Sequence, residues 1–360
     1  MEKRAYNFSA GPAVLPESVL KEVQEELLNY RGHGLSVMEM SHRSEVFDNI
    51  INDAKDAVKR ITGFDDKYEI LFLQGGASSQ FFMIPMNLCP NNMVANYIDT
   101  GRWSYKAWNE AKKLGKKVHI AASSREQDYN MIPEDFEISE NAAYLHITSN
   151  NTVNGTEFKK DIDSGDVPLV ADMSSNIMSK PIDFEKYSLI YAGAQKNIGP
   201  AGVTMVIFKK ELINQANYNL PTMLDYRTHI KKGSMFNTPP CFAIYVLGKV
   251  MHWIEDNGGL AAMAELNKKK AAKIYDIIDS TEFYRGTVEK KYRSTMNVTF
   301  RLPTEELEAK FIAEAQKHNM LKLKGHRSVG GCRASLYNAL PMEAVNYLAN
   351  FMLDFEKKNK

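Results

Sequence analysis

Cysteine is scarce in this chain, and its three residues, Cys89, Cys241 and Cys332, stand far apart. That excludes a disulfide framework and a thiol cluster of metal-binding spacing, so no metal is expected and a reducing compartment fits best. An excess of one charge is also missing, since 45 Lys and Arg against 44 Asp and Glu leave a formal net charge of +1. This balance argues against nucleic acid as the principal partner. Basic runs such as Lys268–Lys270 and Lys357-Lys358 fall in segments rich in acids and read as solvated faces, and no basic stripe carries interleaved aromatics. No apolar run approaches the roughly 20 residues of a membrane span, and the first eight residues have no signal-peptide core. A cytoplasmic protein without a membrane partner is expected. What is present is 360 residues, 44% of them hydrophobic, enough for one large core and a smaller second one.

Strand-like runs occur at Ile70–Leu73, Met93–Ile98, Ala143–Thr148, Leu169–Asp172, Leu189–Ala192 and Thr204–Phe208. Helical patterns such as Tyr105–Leu114 separate the early ones, which indicates an α/β domain with a mainly parallel sheet. Only a few turn residues link the runs 187–194 and 201–208, so that pair has no room for a crossover helix and is expected to be antiparallel. Asp256-Asn257-Gly258-Gly259 breaks a helix. Beyond it come a long lysine-rich helix, strands around Met296–Arg301, another helix and a glycine-rich return. The expected division is a large domain over 16–258 and a small one made of 1–15 plus 259–360. Ligands of open α/β sheets gather beyond the strand ends, where Gly75, Asp99, Thr148, Asp172 and Lys196 could share one site.

Lys196 lies in Tyr191-Ala-Gly-Ala-Gln-Lys-Asn-Ile-Gly-Pro-Ala-Gly202, after an apolar strand and ringed by small residues. An amine at such a strand end is partly desolvated, which lowers its pKa toward the nucleophilic free base. Asp172 ends the preceding apolar run with a carboxylate that neither a core nor a turn requires. An acid and a lysine so placed suit pyridoxal phosphate, whose aldehyde bonds a lysine and whose ring nitrogen pairs with an acid. Many α/β proteins have such residues at two strand ends, so the spacing alone leaves other uses open. A phosphate cradle strengthens it: Gln74-Gly75-Gly76-Ala77-Ser78-Ser79 joins a strand to a helical pattern, and free amides at a helix start bind phosphate. The same segment also reads as an ordinary strand-to-helix turn. Asn237-Thr238-Pro239-Pro240 reads as a helix start with Thr238 as cap and proline in the first turn. His42 and Arg43 near one end of the chain, and His326, Arg327 and Arg333 near the other, supply cations. Arginine offers a planar fork for a carboxylate, and a phosphate dianion needs several donors at once.

With Lys196, Asp172 and the glycine turn assembled, the chain resembles the aspartate-aminotransferase-like, fold type I pyridoxal-phosphate enzymes and, within them, the class V aminotransferases. The resemblance covers essentially the whole chain and is carried by Asn7–Pro16, Met40–Arg43, Ala171–Ser175, Tyr191–Gly202 and Gly325–Ala339. It implies a large, mainly parallel seven-stranded sheet domain flanked by helices, a smaller α+β C-terminal domain, and a homodimer with active sites at the subunit interface. By the same resemblance Lys196 bonds the cofactor and shuttles the substrate's α-proton, Asp172 holds the ring nitrogen, and Trp103 stacks on the ring. Thr152 would lie near the cofactor's phenolic oxygen and the substrate carboxylate. Ala77 and Ser78 would offer amides to the cofactor phosphate, Gln195 a side-chain donor, and Asn237 and Thr238 would reach the phosphate of the neighbouring subunit. Many members have arginine where Ser78 stands, so this grip would lean on amides and a hydroxyl. Arg333 would pair with the substrate α-carboxylate, and His42, Arg43, His326 and Arg327 with a phosphate or the side-chain carboxylate of glutamate.

The activity so implied is reversible amino transfer between L-glutamate and 3-phosphohydroxypyruvate, giving O-phospho-L-serine and 2-oxoglutarate in serine biosynthesis. The pocket would also admit 4-phosphohydroxythreonine of the pyridoxal pathway. Other readings are a serine–glyoxylate aminotransferase, a cysteine desulfurase and a non-catalytic binding protein that keeps the fold. Cys332 has no flanks of a mobile nucleophilic loop and reads as a small packing residue.

Overall fold

A computed structural model describes residues 4–213 and 219–360. One sheet contains β1 (Tyr68–Leu73), β2 (Val94–Asp99), β3 (Lys117–Ser123), β4 (Ala142–Thr148), β5 (Leu169–Asp172), β6 (Leu189–Gly193) and β7 (Thr204–Lys209). Their order is β1-β7-β6-β5-β4-β2-β3, and only β7 runs antiparallel to its neighbours. The short link through Lys196 accounts for that exception: Thr204 pairs with Gly193, as the lack of room for a crossover requires.

Side-chain alternation explains why the sheet is covered on both faces. Ile70, Phe72, Leu145, Ile147 and Ile190 enter one apolar cluster, while Leu71, Tyr144, Leu189 and Val206 enter another on the opposite face. The β3 strand shows no apolar run because it lies at the sheet edge, where only Ala121 is buried.

Five helices matter for the site. They are α1 (Glu45–Thr62), α2 (Gly76–Leu88), α3 (Arg102–Lys113), α4 (Cys241–Asp256) and α5 (Gly259–Asp279). Close approach of α1 to α4 depends on Gly248, where a Cβ would meet Ala54 at 3.3 Å. Asn257 closes α4 and Gly258, at φ +90°, opens α5, so the expected break is present. One expectation fails. Pro240 precedes α4 with no side-chain cap, so Thr238 is not its cap. A residue before proline is pushed out of the helical region, and with two prolines in succession the start moves to Cys241.

Beyond α5, β8 (Asn297–Arg301) and β9 (Cys332–Ser335) pair antiparallel, with α6 (Glu305–Lys317) and α7 (Met342–Asn359) packed around them. Phe300, Phe311, Leu348 and Phe355 form a third apolar cluster there, and Phe8 joins it. Tyr6-Asn7 pairs with Met320-Leu321, so Tyr6, Asn7 and Phe8 lie with the last hundred residues. Cys332 is buried in this cluster, which agrees with a packing role. Among the described residues no helix is long and apolar enough to cross a membrane.

Candidate active site

The carboxyl ends of β4, β5 and β6 and the start of α2 surround a cleft of about 670 Å³. Ala77, Ser78, Trp103, Thr148, Asp172, Gln195 and Lys196 line it, so most of the expected strand-end residues do meet. Asp99 does not. Its carboxylate accepts from Ser104 (3.0 Å), Ser123 (3.3 Å) and Tyr129 (3.2 Å) and pairs with Arg125 (3.3 Å), which holds the loop before α3 and leaves nothing for a ligand.

Lys196 is half-buried, and its Nζ donates to Thr152 Oγ1 at 2.6 Å and sits 5.5 Å from the Trp103 ring centroid. Burial lowers its pKa to about 8; Arg333 pushes the same way and Asp172 opposes both. Asp172 is buried, accepts from the Ser174 amide at 2.9 Å, and is raised above the ordinary carboxylate value by burial despite that donor and despite Lys196. Burial therefore works against both charges. Each has less ionic company than it needs.

The cradle follows from Gly75. At φ +90° it turns β1 into α2, and a Cβ there would fall 2.1 Å from Ser79 Oγ. No side chain caps α2 and no acid occupies its first turn, so its free amides face the cleft beside Ala77 and Ser78. The N-terminal segment lies over the lysine: Ala13 donates its amide to the Gln195 carbonyl at 2.8 Å, and a Cβ on Gly11 would touch the Lys196 stem at 3.4 Å.

Within one chain the candidate cations form two groups. Arg333 projects from β9 and donates to the Thr152 carbonyl at 3.2 Å, so Thr152 receives both Lys196 and Arg333. His326 Nδ1 is engaged by Ser328 at 2.7 Å; burial lowers the pKa of His326, and the charges that act on it in the same direction are Arg102, Arg333, Arg327 and Lys106. Every one of them is a cation. His42 and Arg43 lie elsewhere, outside the lining of the cleft. His42 Nδ1 is 3.2 Å from Thr238 Oγ1, and the Thr238 carbonyl accepts from Gln74 at 2.9 Å. His42 is half-buried, and Arg43, Asn237 and Thr238 are exposed.

The model of the family described as Aminotransferase class-V matches residues 5–348. The chain belongs to the class-V aminotransferases. It is 54% identical to the phosphoserine aminotransferase of Desulfosudis oleivorans over all of both chains. The solved phosphoserine aminotransferase from Bacillus circulans subsp. alkalophilus superposes with a TM-score of 0.97 at 49% identity, covering 99% of each chain. A pyridoxal-phosphate-bound phosphoserine aminotransferase from Trichomonas vaginalis gives 0.93 at 40% identity, covering 97% of this chain and all of the other.

Pyridoxal phosphate is the cofactor of these class-V aminotransferases, and the residues here fit it. Thr148 Oγ1 and Trp103 Nε1 are buried polar atoms in the cleft with no hydrogen-bond partner, and outside its lining Arg333 Nε, on the guanidinium that meets Thr152, also has none. Asp172 lacks a cation suited to its depth, which a protonated ring nitrogen would supply, and the α2 amides suit a phosphate. Some residues in and around the cleft were missed in the sequence. Tyr191, beside Asp172, is 2.9 Å from His146 Nε2, and burial keeps His146 neutral, its pKa lowered to about 3. Asn150 and Ser175 line the cleft as well. Arg102 and Lys106 join the cations around His326, with Lys106 Nζ 4.5 Å from the Trp103 ring centroid.

Proposed function

We propose that this class-V aminotransferase transfers an amino group reversibly between L-glutamate and 3-phosphohydroxypyruvate, giving O-phospho-L-serine and 2-oxoglutarate in serine biosynthesis. The observation that carries the reading is the junction at Thr152. There a desolvated lysine and a half-buried arginine fork meet, next to a group of cations with no acid among its strongest members. The phosphoserine aminotransferase names of the full-length relatives support the same substrate.

When bound, pyridoxal phosphate supplies the aldehyde that carries the amino group and the ring that draws electrons from the substrate's α-carbon. Lys196 Nζ, with its lowered pKa, would accept the α-proton and return it. Asp172 holds the proton on the ring nitrogen through a charge-assisted hydrogen bond. Trp103 would cover the ring and keep water out, Gln195 and the amides of Ala77 and Ser78 would hold the phosphate, and Thr152 orients the lysine. Arg333 takes the α-carboxylate in its fork.

The distal anion of either substrate goes to His326 and Arg327, with Arg102 and Lys106 behind them. A γ-carboxylate and a phosphate dianion differ by about one charge, and His326 absorbs the difference. Burial and the neighbouring cations lower its pKa; a bound dianion opposes those cations and favours its protonation. A small unphosphorylated substrate leaves those charges unmatched.

The patch of His42, Arg43, Asn237 and Thr238 completes the cleft of a second subunit, which makes the working enzyme a homodimer. Met38 and Phe236, close to the patch in sequence, are 60% and 42% exposed, an apolar surface suited to a partner. The separate cluster around Phe300, with Phe8 in it, supports a small domain of 1–15 plus 259–360 against a large one of 16–258. Three free cysteines favour the cytoplasm.

The test is transamination with glutamate as donor, comparing 3-phosphohydroxypyruvate with its unphosphorylated analogue. Charge-assisted contacts contribute about 1.5–3 kcal/mol each, so a preference of roughly 100-fold or more in kcat/KM is expected. Equal values would overturn the phosphate recess. 4-Phosphohydroxythreonine belongs in the same assay as the second phosphorylated candidate.

A further inference from the structure

Outside the cleft, a buried lysine of α5 is turned toward the loop that follows β9. Lys270, on α5, is fully buried, and burial alone brings its pKa down to about 7. Its Nζ donates to the carbonyl oxygens of Tyr337 (2.7 Å), Asn338 (3.3 Å) and Leu340 (3.3 Å), so all of its donors serve one loop. Burying an ammonium this way is costly. The geometry of the loop shows what is held in return.

Asn338 lies at the centre of that loop and connects three segments. Its backbone N–H donates to Asn197 Oδ1 at 2.9 Å, its Nδ2 donates to the Met178 carbonyl at 2.7 Å, and its Oδ1 accepts from Asn267 Nδ2 at 2.7 Å. Asn197 in turn donates to the Ile177 carbonyl at 2.6 Å. All of these asparagines are buried. Asn197 is the residue after Lys196, and Asn338 follows Arg333 a short way along the chain from β9. On the cleft side the Lys196 and Arg333 side chains already meet at Thr152. The Asn197–Asn338 bond closes the same connection from behind.

We propose that Asn338, braced by Lys270 and Asn267 and joined to Asn197, is a positioning residue that holds the Lys196 turn at a fixed place relative to Arg333. The inference rests on the reaction proposed above, in which the substrate's α-carboxylate is held by Arg333 while its α-proton goes to Lys196. Those two groups sit on one carbon, so a small drift between base and guanidinium misplaces one whenever the other is bound. Asn338 touches neither substrate nor cofactor. It acts through the two segments it joins.

Two variants cut the brace at different points. Asn197→Ala removes the acceptor for the Asn338 amide, and Lys270→Met releases the three carbonyls while leaving Asn197 in place. In the cofactor-loaded enzyme each is expected to raise KM for both L-glutamate and the keto acid, by roughly tenfold, because both half-reactions use the same pair of groups. Each should also move, by about one pH unit, the midpoint at which the visible absorbance of the lysine-bound cofactor changes, since the surroundings of Lys196 set it. A lowered Tm with wild-type KM values and a wild-type midpoint would mean that the brace is scaffold only, and the proposal falls. If Asn197→Ala yields no folded protein, Lys270→Met decides by the same readings. A wild-type protein that gains no visible absorbance with pyridoxal phosphate would instead overturn the proposed reaction.

Discussion

Lys196 should present a free amine at a pH where ordinary lysines remain ammonium ions. Burial and the Arg333 charge lower its pKa, Asp172 opposes them, and the balance stands at about 8. At pH 7 about one molecule in eleven then carries the neutral amine, against roughly one in three thousand for an ordinary lysine, a gain of about 300-fold in nucleophile. Competitive acylation of the cofactor-free protein between pH 6 and 11, read by peptide mass spectrometry, follows this amine directly. The expected labelling midpoint is near 8 in the folded protein and returns to the ordinary lysine range in denaturant. Asp172→Asn removes the opposing charge, so its midpoint should fall below that of the wild type. Stability follows with a definite sign. Between about 8 and 10.5 the unfolded chain keeps a proton that folded Lys196 has given up, so the contribution to stability rises with pH across that window and is most unfavourable below it. The shift sets an upper limit of about 3–4 kcal/mol on this contribution, and Lys196→Met should flatten that part of the stability profile. A folded-state labelling midpoint above pH 10 would refute the desolvated amine.

Two further outcomes follow from the geometry. Arg333→Lys keeps the charge and loses the planar fork, so kcat/KM should fall by about 100-fold for both substrates; an unchanged value would reassign that arginine. If the His42 and Arg43 patch completes the neighbouring site, Lys196→Ala and Arg43→Ala chains, each nearly inactive alone, should regain about a quarter of wild-type activity when refolded as an equal mixture. Half of the dimers are then mixed and each mixed dimer has one intact site. No recovery in confirmed mixed dimers would place Arg43 outside the shared site.

The parts of the fold and site that could be read from sequence were those with local causes. The turn around Lys196 is legible because its link is too short for a crossover, and Asp172 because a carboxylate ends an otherwise apolar strand. The β3 strand was hidden by half-exposed residues at a sheet edge, and Asp99, also strand-terminal, is consumed by Ser104, Ser123, Tyr129 and Arg125. Nothing local separates Asp99 from Asp172. What differs is which loops fold over each of them. Thr238 was misread for a local reason, because two prolines in succession outweigh a good capping residue.

Arg102 and Lys106 show a signal that was present and unused. The first turn of α3 contains no acid and begins with a cation, against the preference set by the helix dipole. A helix that opposes its own dipole in this way costs stability unless something negative lies at its end. In this fold His326, Arg327 and Arg333 arrive at that same end from β9 and the loop before it, and they add to the imbalance instead of relieving it. The first turn of α3 is therefore a sequence signal for an anion in addition to Asp99, whose carboxylate is taken up by Ser104, Ser123, Tyr129 and Arg125. In the reaction proposed above, that anion is the part of the substrate farthest from Lys196.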